Sequence, residues 1–238
     1  MTSISNPARS EQKASPALQA AAEVCFGKSP AGWPETISAC SAVIKENVRP
    51  DQKSAAYYNR GSGYLRTGDT SKALADYNEA IKLSPAFARA LQARGTVYIA
   101  QGKLDLALAD FNKSIKLDPK SSVAFNNRAL AYMGKNDIPK AIADFTKAIE
   151  LDPKDAASYA ARGSAYMTLN DKARAIADLN KALEIDPKLV TALFNRGVHY
   201  AATGDKAKAK ADFETILEID PKNETAKKQV AALDKPGG

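Results

Sequence analysis

From Ser54 onward, apolar and small residues recur at intervals of three and four. They fall at Tyr57, Gly61, Tyr64 and Leu65 and, after a short polar break, at Ala73, Tyr77, Ala80 and Ile81. This spacing predicts two amphipathic helices. The break carries Gly68, which tolerates a left-handed backbone, followed by Asp69, which can cap the next helix. The double pattern then recurs with a period of 34 residues, marked by Pro85, Pro119, Pro153, Pro187 and Pro221. Cut on that register, the chain holds five windows, 54–87, 88–121, 122–155, 156–189 and 190–223. The turn column reads Gly68, Gly102, Asn136, Asn170 and Gly204, with Asp137, Asp171 and Asp205 repeating the cap. Pro139 falls in the first turn of a second helix, where its missing N–H costs little.

Two columns of small residues explain how such hairpins pack. Gly61, Gly95, Ala129, Gly163 and Gly197 recur on the first helix, and Ala73, Ala107, Ala141, Ala175 and Ala209 on the second. Helices crossing at such positions approach closely, and bulk comes from Tyr77, Phe111, Phe145, Leu179 and Phe213. A lone hairpin has one apolar side and cannot bury enough of it, so the hairpins must stack on their neighbours. The expected fold class is therefore all-α, a solenoid of stacked antiparallel helix hairpins. Residues 17–53 read as a degenerate N-terminal hairpin, with three residues inserted before Ser54. Residues 224–235 read as a capping helix, and Ile216, at a place held elsewhere by Ala80, Ser114, Ala148 and Ala182, is expected to meet it. Residues 1–16, rich in Ser, Pro and Ala, are expected to be a disordered tail, and 236–238 a short C-terminal one.

Composition narrows the chemistry. The chain has 238 residues, a formal charge of +7 and 45% apolar residues, with no stretch of 18 apolar residues to span a membrane. The longest basic run is Lys227–Lys228, so no nucleic-acid tract is indicated. One histidine and two cysteines leave too few soft ligands for a closed zinc site, and no metal or cofactor is expected. His199 stands where the other windows have Gly63, Val97, Ala131 and Ala165, a packing variant rather than a base. With no glycine-rich phosphate loop, nucleophile arrangement or isolated acid pair, no catalytic residue is expected. Met1–Gln19 lacks the apolar run of a signal peptide. The expectation is a soluble protein, cytoplasmic as written, or periplasmic or secreted if a leader was removed or replaced. Cys25 and Cys40 lie on the two arms of the degenerate hairpin and allow two readings. One is a disulfide, which points to an oxidising compartment; the other is two buried free thiols.

A second ladder pairs Arg60, Arg94, Arg128, Arg162 and Arg196 with Asp76, Asp110, Asp144, Asp178 and Asp212. Five arginines in register can grip a polyanion. A carboxylate recurs in equal number, however, and would neutralise an anion site, so the favoured reading is a structural pair within or between hairpins.

The residues Tyr57, Gly61, Tyr64, Ala73, Tyr77, Ala80 and Pro85, with their equivalents through Tyr159, Gly163, Tyr166, Ala175, Leu179, Ala182 and Pro187, make the chain resemble the tetratricopeptide repeat family. The N-terminal unit also looks like a common type of bacterial, often exported, repeat protein. The resemblance implies a right-handed superhelix whose first helices line a concave groove that binds peptides or proteins. On the family's geometry the groove residues include Tyr58, Asn59, Ser62, Leu65, Arg66, Gln92, Thr96, Ile99, Asn126, Asn127, Leu130, Met133, Met167, Phe194 and Asn195. This mostly uncharged set suits a segment offering apolar side chains, with Asn59, Asn127 and Asn195 placed to bond its backbone. The competing reading is that its methionines and aromatics only finish helix packing. Family members that bind chaperone tails hold a terminal carboxylate with lysines, asparagines and an arginine. The matching places here carry Tyr58, Ser62, Ala93, Val123 and Asn127, so that clamp is not expected. The expected function is a non-enzymatic scaffold for a protein or peptide segment, with self-assembly as the alternative.

Overall fold

The computed structural model describes residues 15–234 and is all-α, with no strand among them. Its helices are α1 (Pro16–Cys25), α2 (Trp33–Lys45), α3 (Pro50–Arg66), α4 (Thr70–Leu83), α5 (Ala88–Ala100), α6 (Leu104–Leu117) and α7 (Ser122–Gly134). They continue as α8 (Ile138–Leu151), α9 (Ala156–Thr168), α10 (Lys172–Ile185), α11 (Val190–Ala202), α12 (Lys206–Ile219) and α13 (Glu224–Leu233). The fold class is the all-α helical-repeat solenoid that the 34-residue period implies.

The ends start where local capping allows. The expected tails lie outside the described residues over 1–14 and 236–238. Ser15 and Pro16, read from sequence as tail, instead start α1. The Ser15 hydroxyl accepts the Leu18 amide, and proline at the first position gives up no helical hydrogen bond. In the same way α3 begins at Pro50, ahead of the first window at Ser54, so one helix runs across the inserted residues.

Each inter-helix turn is closed by its sequence. Gly68, Gly102 and Gly204 have φ of 89°, 70° and 85°, and Asn136 and Asn170 take the same left-handed conformation at 60° and 57°. Asp69, Asp137, Asp171 and Asp205 then accept the amides of Lys72, Lys140, Arg174 and Lys208. Lys103 takes the aspartate's place in the second window and makes no such cap.

The chain divides into two units between Arg94 and Gly95, within α5. In the first, α1–α4 and the start of α5 surround two cores. One holds Cys25, Cys40, Val43 and Ala56, with Leu18, Ala22 and Phe26 against it; the other holds Ala80, Ile81, Ala90 and Leu91. In the second, Phe111, Phe145, Leu179 and Phe213 are fully buried. Ile216 and Ala226 belong to one core, so α13 covers the end of the stack.

The glycine column is a place of close approach. A Cβ on Gly197 would lie 2.9 Å from the Phe213 ring. Gly197→Val is expected to cost about 1–3 kcal/mol through overpacking. Chemical denaturation measures it, and an unchanged midpoint would remove the argument from close approach.

Candidate functional site

The arginine ladder is built into the hairpins. Arg60 donates from Nε and Nη2 to the two carboxylate oxygens of Asp76 at 2.7 and 2.8 Å. Arg128–Asp144 repeats this at 2.6 and 2.7 Å, Arg162–Asp178 at 2.8 and 2.9 Å, and Arg196–Asp212 at 2.9 and 2.7 Å. The remaining nitrogen, Nη1, reaches the preceding hairpin. Arg60 donates it to Ser41, Arg94 to Asn78, Arg128 to Asn112, Arg162 to Thr146 and Arg196 to Asn180. Hydrogen bonding to the aspartates raises Arg60, Arg128, Arg162 and Arg196 above the ordinary arginine pKa, against the opposing effect of burial. These four guanidinium groups already carry fixed partners, which leaves no vacant anion grip among them. The second acceptor column, Asn78, Asn112, Thr146 and Asn180, was the missed signal: polar side chains at constant spacing two residues after each aspartate.

Aromatic rings complete the lattice. Arg60 lies over Tyr57 and Tyr64 at 5.4 and 5.8 Å, and Lys72 lies over Tyr64 at 5.3 Å. Tyr132, Tyr166 and Tyr200 are likewise held between an arginine of their own helix and a cation of the next. Those cations pair with the capping aspartates. The hydrogen bond from Lys72, Lys140, Arg174 or Lys208 holds Asp69, Asp137, Asp171 and Asp205 below the ordinary carboxylate pKa.

At the N-terminal end, Cys25 and Cys40 are joined by a disulfide with Cα atoms 4.8 Å apart, and both residues are buried. It ties α1 to α2. The Asn59 side chain donates to the Cys25 carbonyl at 2.9 Å, which brings α3 into the same junction.

None of the residues that family geometry assigns to a groove is fully buried; Leu65, Arg66, Thr96 and Leu130 are exposed and the others partly buried. In the first unit, Leu65 is 37% exposed, and Arg66 lies over the exposed Trp33 ring. Tyr58 packs on Tyr77 and Phe87, and the Ser62 hydroxyl donates to the Tyr58 carbonyl. Gln92 is half-buried. In the second unit, Leu130 is 41% exposed and Thr96 is also exposed. Asn127 donates to Thr96 at 3.5 Å, and Asn126 Oδ1 lies 3.2 Å from the Ser158 hydroxyl. Ile99, Met133, Met167 and Phe194 each lean on a core while keeping part of their surface open. The Asn59 and Asn127 carboxamides thus each donate one hydrogen bond within the protein. The Asn195 side chain makes no hydrogen bond among the described residues.

Asn195 stands instead on a cleft of about 320 Å³. Its lining is Val190, Thr191, Phe194 and Asn195 of α11, Ile216 of α12, and Asn223 and Thr225 at the start of α13. None of these residues is charged. Sequence reasoning missed the cleft because it depends on where the shortened cap sits, although Ile216 had stood out in its column. His199 sits edge-on to Tyr200 at 5.9 Å. Among the described residues, no group of three His, Cys, Asp or Glu side chains is placed to hold a metal, and no helix is long and apolar enough to cross a membrane.

Comparison with known proteins follows the same period. Tetratricopeptide repeat models match residues 58–122, 122–155, 156–189 and 190–223, together more than half of the chain. No curated protein matches. Among solved structures, MamA is 25% identical, with 69% of this chain and 96% of that one aligned at a TM-score of 0.58. A tetratricopeptide repeat protein from Parabacteroides merdae is 24% identical over 92% of this chain and 83% of its own, at a TM-score of 0.68. YrrB, described as a protein of this repeat class with an unusual peptide-binding site, is 22% identical over 81% and 97%, at 0.60. The last two likenesses bear on the fold alone. With the repeat models spanning its hairpins, the chain belongs to the tetratricopeptide repeat family.

Proposed function

We propose that the protein is a non-enzymatic scaffold that holds a protein or peptide segment against the open side of its first helices. The observation that carries this reading is the contrast between the two faces of those helices. On one, Arg60, Arg128, Arg162 and Arg196 are engaged in fixed intramolecular bonds. On the other, Leu65 and Leu130 leave apolar surface in water without covering side chains sufficient to bury it. Within each unit, uncharged aliphatic and amide groups on this face support apolar contact and main-chain hydrogen bonding, and offer no acid, base or nucleophile set apart for chemistry. The peptide-binding site in YrrB, a protein of the same fold, is consistent with this use.

The Cys25–Cys40 disulfide supports a place of work in an oxidising compartment such as a periplasm or the cell exterior. The test of the scaffold reading is capture from source-cell extract by the native protein and by Leu65→Glu plus Leu130→Glu. Both side chains are exposed, so the variant keeps its core. It is expected to lose its captured partners at least tenfold, and equal capture by the two proteins refutes the assignment of this face.

A further inference from the structure

We infer that the cleft between α11, α12 and α13 is a pocket for one bulky apolar side chain whose neighbour in the bound segment is acidic, the carboxylate meeting Lys228. This deepens the scaffold reading and rests on it. The first ground is Ile216. The same position holds Ala80, Ser114, Ala148 and Ala182 in the other windows, small residues beside which the next hairpin packs. Ile216 is buried at 1% exposure against the cap, and its larger side chain forms the floor of a cleft walled by Val190 and Phe194. The last window thus presents a larger apolar residue to the cleft at a place where the other windows carry a small one. The volume, about 320 Å³, is ample for a leucine or phenylalanine side chain with part of its backbone.

The second ground is Asn195. Of the three asparagines in its column, Asn59 is bonded to the Cys25 carbonyl and Asn127 to Thr96, whereas Asn195 stands on the cleft wall with no hydrogen bond among the described residues. A carboxamide left free beside an apolar floor can both donate to and accept from a main-chain amide. The third ground is charge. Thr225 lines the cleft, and Lys228, one turn further along α13, shares its face. Lys227 is held by Glu224 at 2.9 Å, but Lys228 is exposed and makes no ion pair among the described residues. In the repeat register Lys228 stands where the preceding hairpin has Phe194. An uncharged lining with the unpaired Lys228 one turn beyond Thr225 selects against a basic segment and favours an apolar residue next to an acidic one.

The test uses the full chain with 13C-labelled methyl groups and three acetylated, amidated tetrapeptides, Ser-Phe-Glu-Ser, Ser-Phe-Gln-Ser and Ser-Ser-Glu-Ser. The first is expected to shift the Ile216 and Val190 methyl signals saturably, the second to bind several-fold more weakly, and the third to leave them unmoved. Lys228→Glu, a surface change, is expected to weaken the first peptide to the level of the second and leave the second unaltered. Equal affinity for the first two peptides, or no shift at Ile216, overturns the proposal. Shifts at the Leu65 and Leu130 methyls without any at Ile216 overturn the pocket and leave the scaffold reading standing, since that reading fails only on its own capture test. Ile216 shifts that follow protein concentration with no peptide present assign the cleft to a second copy and also overturn the proposal.

Discussion

Asp178→Ala is expected to destabilise the second unit by about 3–5 kcal/mol, because it leaves a largely buried guanidinium without its counter-charge. The side chains of Arg162 and Asp178 are only 16% and 11% exposed, and both carboxylate oxygens are used. Removing one partner keeps the desolvation of the other and discards the attraction that offset it. Replacing both, as Arg162→Leu with Asp178→Leu, is expected to cost far less, since apolar side chains need no such compensation. Thr146 tolerates the loss of the arginine because its hydroxyl still donates to the Ile142 carbonyl at 2.8 Å. Urea denaturation, with hydrogen exchange read across α9 and α10, measures both variants. A single-variant loss below about 1 kcal/mol, the range of exposed pairs, would mean that water reaches the guanidinium freely.

Opening the Cys25–Cys40 bond, by reductant or as Cys25→Ser with Cys40→Ser, is expected to remove about 3 kcal/mol from the first unit. That is the loop-closure value for a crosslink of this span, here 15 residues. The loss should be local. Within α1 only Cys25 is buried, so the helix is otherwise held by the partial burial of Leu18, Ala22 and Phe26 and by the Asn59 bond to the Cys25 carbonyl. Amide exchange over residues 16–26 should therefore rise first, with α6–α13 unchanged. Full protection of α1 in the reduced protein would show that apolar contact alone seats it.

Periodicity made the hairpins legible, because helix, turn and helix each leave a mark at fixed offsets: the small-residue columns, the Gly or Asn turn and the following Asp. Their ends were less so. Proline at Pro16 and Pro50 reads as a boundary from sequence, yet at a first helical position it is compatible with the helix and starts it. The arginine and aspartate columns are equally plain in sequence, but a column gives spacing and not direction. Only the geometry has Arg60, Arg128, Arg162 and Arg196 bonded both within their hairpins and to the one before, as with Arg128 to Asp144 and to Asn112. The asparagine column shows the same limit. Asn59, Asn127 and Asn195 are alike in register, and what separates them is the neighbour each meets, a carbonyl at the end of α1, a threonine hydroxyl, or open space. The cleft lay furthest from view, since it arises from the meeting of one atypical side chain with a helix outside the period.

The backward reach of Nη1 gives the array an order in time. As the chain is synthesised from its N-terminus, each arginine emerges after the side chain that will accept its third hydrogen bond, Ser41 before Arg60, Asn112 before Arg128, Asn180 before Arg196. Each of these arginines thus meets an acceptor already synthesised, and its aspartate follows sixteen residues later to complete the pair. The last acceptor place holds Glu214, with Val230 where the next arginine would stand. The arginine ladder therefore has no further rung at α13.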